Sequence, residues 1–137
     1  MQFGGNADWD IIAQVVKAVS IPVYANGDVV DVDSCKNVFE QTGCYGVSIG
    51  RGAIGKPYLF AQLKGKEYHF DLLCDLKEHI TVLQKIYPEK MVANEIKKHV
   101  VNYTKGKRGT KQLITKVMQM KDSTEILSAV EEYVANF

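Results

Sequence analysis

A chain of 137 residues, 46% of them apolar, holds material for one ordinary hydrophobic core or for two small ones. Its 17 basic and 16 acidic residues nearly balance, and no run of about 18 apolar residues exists to form a membrane-spanning helix. Three cysteines without a CxxC pair argue against a disulfide framework and a zinc knuckle, and no basic stretch followed by an apolar signal core opens the sequence. A soluble, cytoplasmic chain with buried thiols at Cys35, Cys44 and Cys74 is expected.

In chain order, Ile12, Val15, Val16 and Val19 recur at helical spacing behind Asn6 and Asp8, which predicts a helix over about Ala7 to Val19. Trp9, near its start, is expected to staple the helix to the core. Pro22 comes next, and Ile21 to Ala25 reads as a buried strand. Val32, Cys35, Val38 and Phe39 share one face of a second helix, with Asp31 or Asp33 as N-cap and Gly43 as C-terminal stop. Tyr45 to Ile49 is the next strand. Two short strands joined by one helix make a βαβ unit, whose strands must run parallel.

Beyond Pro57 the pattern changes. Tyr58 to Phe70 holds no clean period, and a domain boundary is expected near Lys64 to His69, dividing the chain into residues 1–64 and 65–137. Leu72, Leu73, Leu76, Ile80, Leu83 and Tyr87 form an apolar stripe that Pro88 terminates. A further helix is predicted over about Glu89 to Thr104. Gly106 and Gly109 break the chain; Leu113, Ile114, Val117 and Met118 restart it. Asp122-x-x-Glu125 opens a last helix carrying Ile126, Leu127, Val130 and Val134. The second domain therefore reads as a small helical bundle.

The chemistry-bearing segments are two strand-end glycine loops. Asn26-Gly27-Asp28 closes the first strand and Gly50-Arg51-Gly52-Ala53-Ile54-Gly55 follows the second. Glycines at such ends let backbone N–H groups approach an anion, so the expected ligand is a phosphate. An isolated Asn-Gly-Asp is ordinarily a tight turn, and its pairing with the second loop is what gives it a functional reading. GRGAIG matches GxGxxG, but a dinucleotide fold needs a helix beginning inside the motif and an acidic residue ending a second strand some 20 residues on. Here Pro57 intrudes, and Glu67 and Asp71 fall in polar or helical sequence. A (β/α)8 barrel handles the pattern better, since its phosphate site is built from the loops after strands seven and eight and a short extra helix, which Ala53 to Phe60 would supply.

Charge is unevenly spread. Residues 1–63 carry four basic and six acidic side chains, whereas residues 64–137 carry thirteen and ten. From Lys97 to Lys116 there are seven basic residues and His99 with no acid, and Asn102 and Tyr103 interleave hydrogen-bonding or stacking groups. A solvated helix face is the plain reading; contact with structured RNA is the functional one. His69, His79 and His99 have no ligand-like spacing, so no metal site is expected.

Ile-Pro-Val-Tyr-Ala-Asn-Gly-Asp (21–28) and Gly-Val-Ser-Ile-Gly-Arg-Gly-Ala-Ile-Gly-Lys-Pro-Tyr-Leu-Phe (46–60) resemble the closing strands of tRNA-dihydrouridine synthases, the bacterial B-type branch above all. Asn6-Ala7-Asp8-Trp9 and the stretch from Lys97 through Gly106 fit the same family, whereas Lys111-Gln112 stands where relatives often carry arginine. The resemblance implies the C-terminal part of an FMN-binding (β/α)8 TIM barrel followed by a helical tRNA-recognition domain. The implied activity is NADPH-dependent reduction of uridine in tRNA to dihydrouridine. It places Asn26, Gly27 and Asp28 on the FMN phosphate and ribityl region, with Asp28 either capping the following segment or accepting a ribityl hydroxyl. Gly50 and Arg51 fall on the phosphate itself. Lys97, Lys98, His99, Tyr103, Lys105, Lys107, Arg108 and Lys111 are implied to face tRNA.

The family's catalytic cysteine belongs to an earlier part of the barrel, and none of Cys35, Cys44 or Cys74 matches its motif, so no catalytic residue is assigned. The chain is expected to be inactive alone and to need a partner for its exposed strands: the rest of the barrel, or another copy in a homo-oligomer. Two other readings stay open, a non-catalytic RNA-binding or scaffolding fragment and an FMN-dependent barrel oxidoreductase with another substrate.

Overall fold

The structure, a computed structural model, describes residues 6–136; the outer ends of the two expected domain spans, residues 1–5 and Phe137, lie outside the described residues. The chain forms two compact units, one up to Tyr68 and one from His69.

The first unit runs α1 (Trp9–Ala18), β1 (Tyr24–Asn26), α2 (Val32–Thr42), β2 (Gly46–Ser48), a 3-10 turn (Arg51–Ala53) and α3 (Leu59–Leu63). β1 and β2 are parallel neighbours in the register Tyr24–Gly46, Ala25–Val47 and Asn26–Ser48. Equal register brings both strands to their C-terminal ends side by side, so the two glycine loops leave the sheet from one edge. The crossover helix α2 is fixed at both ends. A reciprocal capping box joins Asp31, whose carboxylate accepts the Ser34 N–H at 2.8 Å, to Ser34, whose hydroxyl oxygen accepts the Asp31 N–H at 3.0 Å. The Ser34 hydroxyl, which donates to the Asp31 carboxylate at 2.6 Å, and after it the Ser34 N–H hold the Asp31 carboxyl below the usual carboxylate range. Gly43 ends the helix in the left-handed region at φ 65°.

Ala25, Val29, Cys35, Val38 and Cys44 form the buried core of this unit, with Trp9, Ile12, Val16, Val47, Ile49 and Leu63 packed around it. Burial raises the Cys35 thiol above its ordinary range, with Cys44 adding to the effect. Trp9 does staple α1 to this core, although its buried indole N–H finds no hydrogen-bond partner. Two expectations change here. No residue of α1 is buried, and Val15 and the C-cap residue Val19 stay 44% and 41% exposed, because α1 packs chiefly on α2 and leaves part of its apolar face open. The strand expected from Ile21 begins only at Tyr24, and Ala25 is its one buried residue. Pro22 has no N–H to give a ladder, and a sheet of two strands covers one face only.

The second unit consists of α4 (Leu72–Gln84), α5 (Glu89–Tyr103), α6 (Thr110–Gln119) and α7 (Ser123–Ala135). α4 packs on α5 and α7, and α5, α6 and α7 pack on one another. Leu76, Val92, Ile96, Val100, Val117, Ile126 and Val130 are fully buried between them. α4 ends at Gln84, four positions before Pro88, and Tyr87 falls outside it at the position where a following proline disfavours helical backbone. Asp122 caps α7 by accepting the N–H of Thr124 at 2.8 Å, while the Ser123 N–H is taken by Glu89 from the start of α5 at 2.6 Å. Cys74, expected to be buried, is exposed. It follows Leu72 by two positions, about 200° around α4, and so faces away from the stripe of Leu72, Leu76 and Ile80.

Candidate functional site

The loops that leave β1 and β2 line one cleft of about 440 Å³, made by Asn26, Gly27, Asp28, Val29, Val30, Ser48, Ile49, Gly50, Arg51 and Gly52. All five residues expected to hold the cofactor, Asn26, Gly27, Asp28, Gly50 and Arg51, therefore come together. The side-chain amide of Asn26 donates to the Ser48 hydroxyl at 3.4 Å across the paired strand ends. Lys56 donates to the Val30 carbonyl at 2.7 Å and ties the second loop down on the first.

Two glycines make this approach possible. A Cβ on Gly52 would lie 2.0 Å from the Val29 carbonyl oxygen, and one on Gly27, at φ 130°, would lie 2.4 Å from the Ala7 Cβ. Gly50 is different, with open space where its Cβ would point. Directly after it the chain turns into the 3-10 segment Arg51–Ala53, in which the Ala53 N–H donates to the Gly50 carbonyl at 3.1 Å and the Ile54 N–H to the Arg51 carbonyl at 3.2 Å. Asn26, Ser48, Arg51 and the glycines of both loops thus line one concave, partly polar site. That donor set suits a phosphate monoester.

Asp28 does not cap the following segment. It sits in the left-handed region at φ 58°, and its carboxylate accepts the Ala7 N–H at 2.5 Å, which fastens the segment before α1 to the loop. Capping of the following helix falls to Asp31. Val29, Val30, Ser48 and Gly52 also line the cleft without having been singled out by sequence. Gly52 carries a readable signal as the middle glycine of the motif, whereas Val29 and Val30 carry none, since only the approach of the second loop places them there.

In the second unit the expected nucleic-acid face divides. Lys105, Lys107, Arg108 and Lys111 are exposed on the α5–α6 loop and the start of α6. Lys107 holds its ammonium 5.4 Å from the Phe70 ring centroid. Lys98 is paired with Glu95 at 2.7 Å and Asn102 donates to the Lys98 carbonyl. Tyr103 is a correction: at 9% exposure it belongs to the core and cannot stack on a base. Residue 103 lies three and seven positions from the buried Val100 and Ile96, on the inward face of α5.

His99 is half-buried too, its ring 4.2 Å from that of His79, whose Nδ1 lies 3.2 Å from the Tyr103 hydroxyl. Burial lowers the pKa of both histidines; His99 adds to the effect at His79, while at His99 burial outweighs the opposing pull of the Glu95 carboxylate, with Lys98 adding to the lowering. Burial likewise raises the Tyr103 hydroxyl. A folded-state histidine pKa below the unfolded value means that the unfolded chain binds more protons in the window between them. Stability should therefore fall as pH is lowered from neutrality through the ordinary histidine range. Thermal unfolding between about pH 7.5 and pH 5 should show a falling midpoint, with a flatter profile in His79→Gln/His99→Gln; an unchanged profile in the double variant would refute the assignment.

Among the described residues no group of three or more His, Cys, Asp or Glu side chains could hold a metal ion, and no helix is long and apolar enough to cross a membrane.

A family model described as dihydrouridine synthase matches residues 1–137. A probable tRNA-dihydrouridine synthase of Rickettsia prowazekii (strain Madrid E) is 31% identical over 144 residues, covering 98% of this chain and 43% of that protein. One of Aquifex aeolicus (strain VF5) is 28% identical, covering 95% and 42%. The tRNA-dihydrouridine synthase B of Pseudomonas aeruginosa (strain PAO1) is 30% identical, covering 97% and 43%. The chain spans less than half the length of these curated relatives.

Proposed function

The chain belongs to the dihydrouridine synthase family, and from that premise we propose that it forms part of an FMN- and NADPH-dependent tRNA-dihydrouridine synthase, supplying the flavin-phosphate loops and a tRNA-binding helical domain. The observation that carries this reading is the meeting of Asn26-Gly27-Asp28 and Gly50-Arg51-Gly52 in one cleft at the C-terminal ends of adjacent parallel strands. Those are the ends at which a (β/α)8 barrel binds phosphate, and two parallel strands with flanking helices fit a part of such a barrel.

The residues present fit the phosphate end of FMN. Gly50 and Arg51 would hold the phosphate oxygens, one through its backbone and the other through a planar fork of donors. Asn26 and the backbone of Gly27 would face the ribityl chain. Asp28 serves by fixing the loop, its carboxylate being held by the Ala7 N–H. When bound, the flavin would supply hydride for reduction of the uridine double bond and regain it from NADPH. No side chain of this cleft is proposed to move a proton to the base.

Partner requirements follow from exposure. Ile21, Tyr24 and Tyr45 are 61–70% exposed beside a two-stranded sheet, and a further barrel segment or a second copy of the chain would cover them. The basic loop of the second unit favours a nucleic-acid substrate over the small-molecule substrates of other FMN barrels.

The test compares FMN with riboflavin, which lacks the phosphate, by flavin absorbance and fluorescence titration of the purified chain. Binding of FMN at least tenfold tighter than riboflavin is expected. Equal affinities would remove the phosphate site, and a chain that shifts tRNA while ignoring both flavins would favour the non-catalytic RNA-binding reading.

A further inference from the structure

Lys56 touches a wall of the phosphate cleft without being one of the residues that line it. Its ammonium donates to the carbonyl of Val30, a lining residue, at 2.7 Å. The Asp31 carboxylate, next in the chain, lies close enough to feel the same charge. The half-buried Lys56 side chain is therefore engaged with the first loop rather than held free for a ligand.

Both partners of this bond are anchored. Val30 also donates its N–H to the Ser34 hydroxyl at 2.9 Å, the group that serves in the capping box of α2, so it is fixed to the start of that helix. On the other side a ladder of short turns runs through the second loop. The Gly50 carbonyl accepts the Ala53 N–H at 3.1 Å, the Ala53 carbonyl accepts the Lys56 N–H at 3.0 Å, and the Lys56 carbonyl accepts the Leu59 N–H at 3.1 Å. Leu59 is 1% exposed and roots the far end of the ladder in the first unit, whereas Gly50 stands at its cleft end. Hydrogen bonds of this three-residue kind are poorly aligned and yield easily. A tie between the rooted end and the cleft end decides where Gly50 and Arg51 come to rest, and the Lys56 side chain is placed to be that tie.

We propose that Lys56 is a positioning residue for the phosphate cleft, acting through Val30 to hold the second loop against the first before any ligand arrives. The assignment rests on the flavin-phosphate reading given above and deepens it. A loop already held in its binding shape loses less freedom when the ligand binds, so the gain falls on the phosphate end of FMN and not on the flavin ring.

The test uses the full 137-residue chain and two readouts. Lys56→Met keeps the aliphatic stem and removes the donor. In the ligand-free chain, amide hydrogen exchange at Ala53 and Ile54 should rise roughly fivefold to tenfold, with exchange in α2 unchanged. The ratio of FMN to riboflavin affinity should fall by a similar factor. Lys56→Arg, which still offers a donor at the end of a long stem, should return both. Faster exchange spread over the whole first unit would make Lys56 a general stabiliser and overturn the inference. A lowered ratio with unchanged exchange would make its ammonium a direct phosphate ligand, and an unchanged ratio would make the tie irrelevant to binding; either overturns the positioning role and leaves the flavin-phosphate reading standing. Equal FMN and riboflavin affinities in the wild-type chain would overturn both.

Discussion

Gly52→Ala should lower FMN affinity at least tenfold and destabilise the first unit by about 1–3 kcal/mol, the usual cost of forcing an atom into occupied space. The added Cβ would lie 2.0 Å from the Val29 carbonyl oxygen and 3.2 Å from the Val30 Cα, both backbone atoms that no rotamer change can move. Loop 50–55 would have to retreat, although Lys56 holds it to the Val30 carbonyl from the same side. Gly50→Ala separates the two consequences. Its Cβ meets nothing of the protein, so unfolding should be unchanged, while the methyl group would stand beside the backbone donors proposed for the phosphate. The measurement is flavin titration alongside thermal unfolding for both variants. An affinity loss confined to Gly52→Ala would mean that the loop matters only structurally, and equal FMN binding by all three proteins would remove the phosphate from this cleft.

How far such a site can be read from sequence depends on whether its signal is local. Asp31, Gly43 and Asp122 bound their helices as the residue types predict, because a cap is a contact within three or four positions. The five loop residues expected on the phosphate share one cleft because parallel strands in equal register bring both loops to one edge. Burial was less legible. Val15, Val19 and Tyr24 have the apolar character of core residues, yet the elements that would cover them are absent from this sheet of two strands. Tyr103 failed in the opposite direction. Its place in a lysine-rich run suggested an exposed ring, but helical phase puts it with Ile96 and Val100. Lys56 and Val30 are 26 positions apart in sequence, and only the approach of the second loop to the first makes them partners.

Reversing Lys105, Lys107 and Arg108 to glutamate should weaken tRNA binding roughly 100-fold near 0.1 M salt and flatten the salt slope by about 2–3 units, since each phosphate contact adds about 0.7–0.9 to that slope. The loop carrying these residues is held by groups other than their charges. The Tyr133 hydroxyl donates to the Arg108 carbonyl at 2.8 Å, and the Thr110 hydroxyl lies 2.7 and 2.8 Å from the Thr104 and Lys107 carbonyls. The backbone should therefore keep its course in the variant, apart from the modest loss of the Lys107–Phe70 contact, about 0.5–1 kcal/mol at an exposed site. Net charge is a competing explanation, because three reversals take the chain from +1 to −5 (1 − 6 = −5). Reversing Lys17, Lys36 and Lys77 changes the total by the same amount from positions outside the loop, and Lys77 is already paired with Glu131. If the loop binds phosphate, the first triple variant should lose far more affinity than the second. Equal losses would reduce the effect to overall charge, and unchanged binding in the first triple would take the loop out of the tRNA interface.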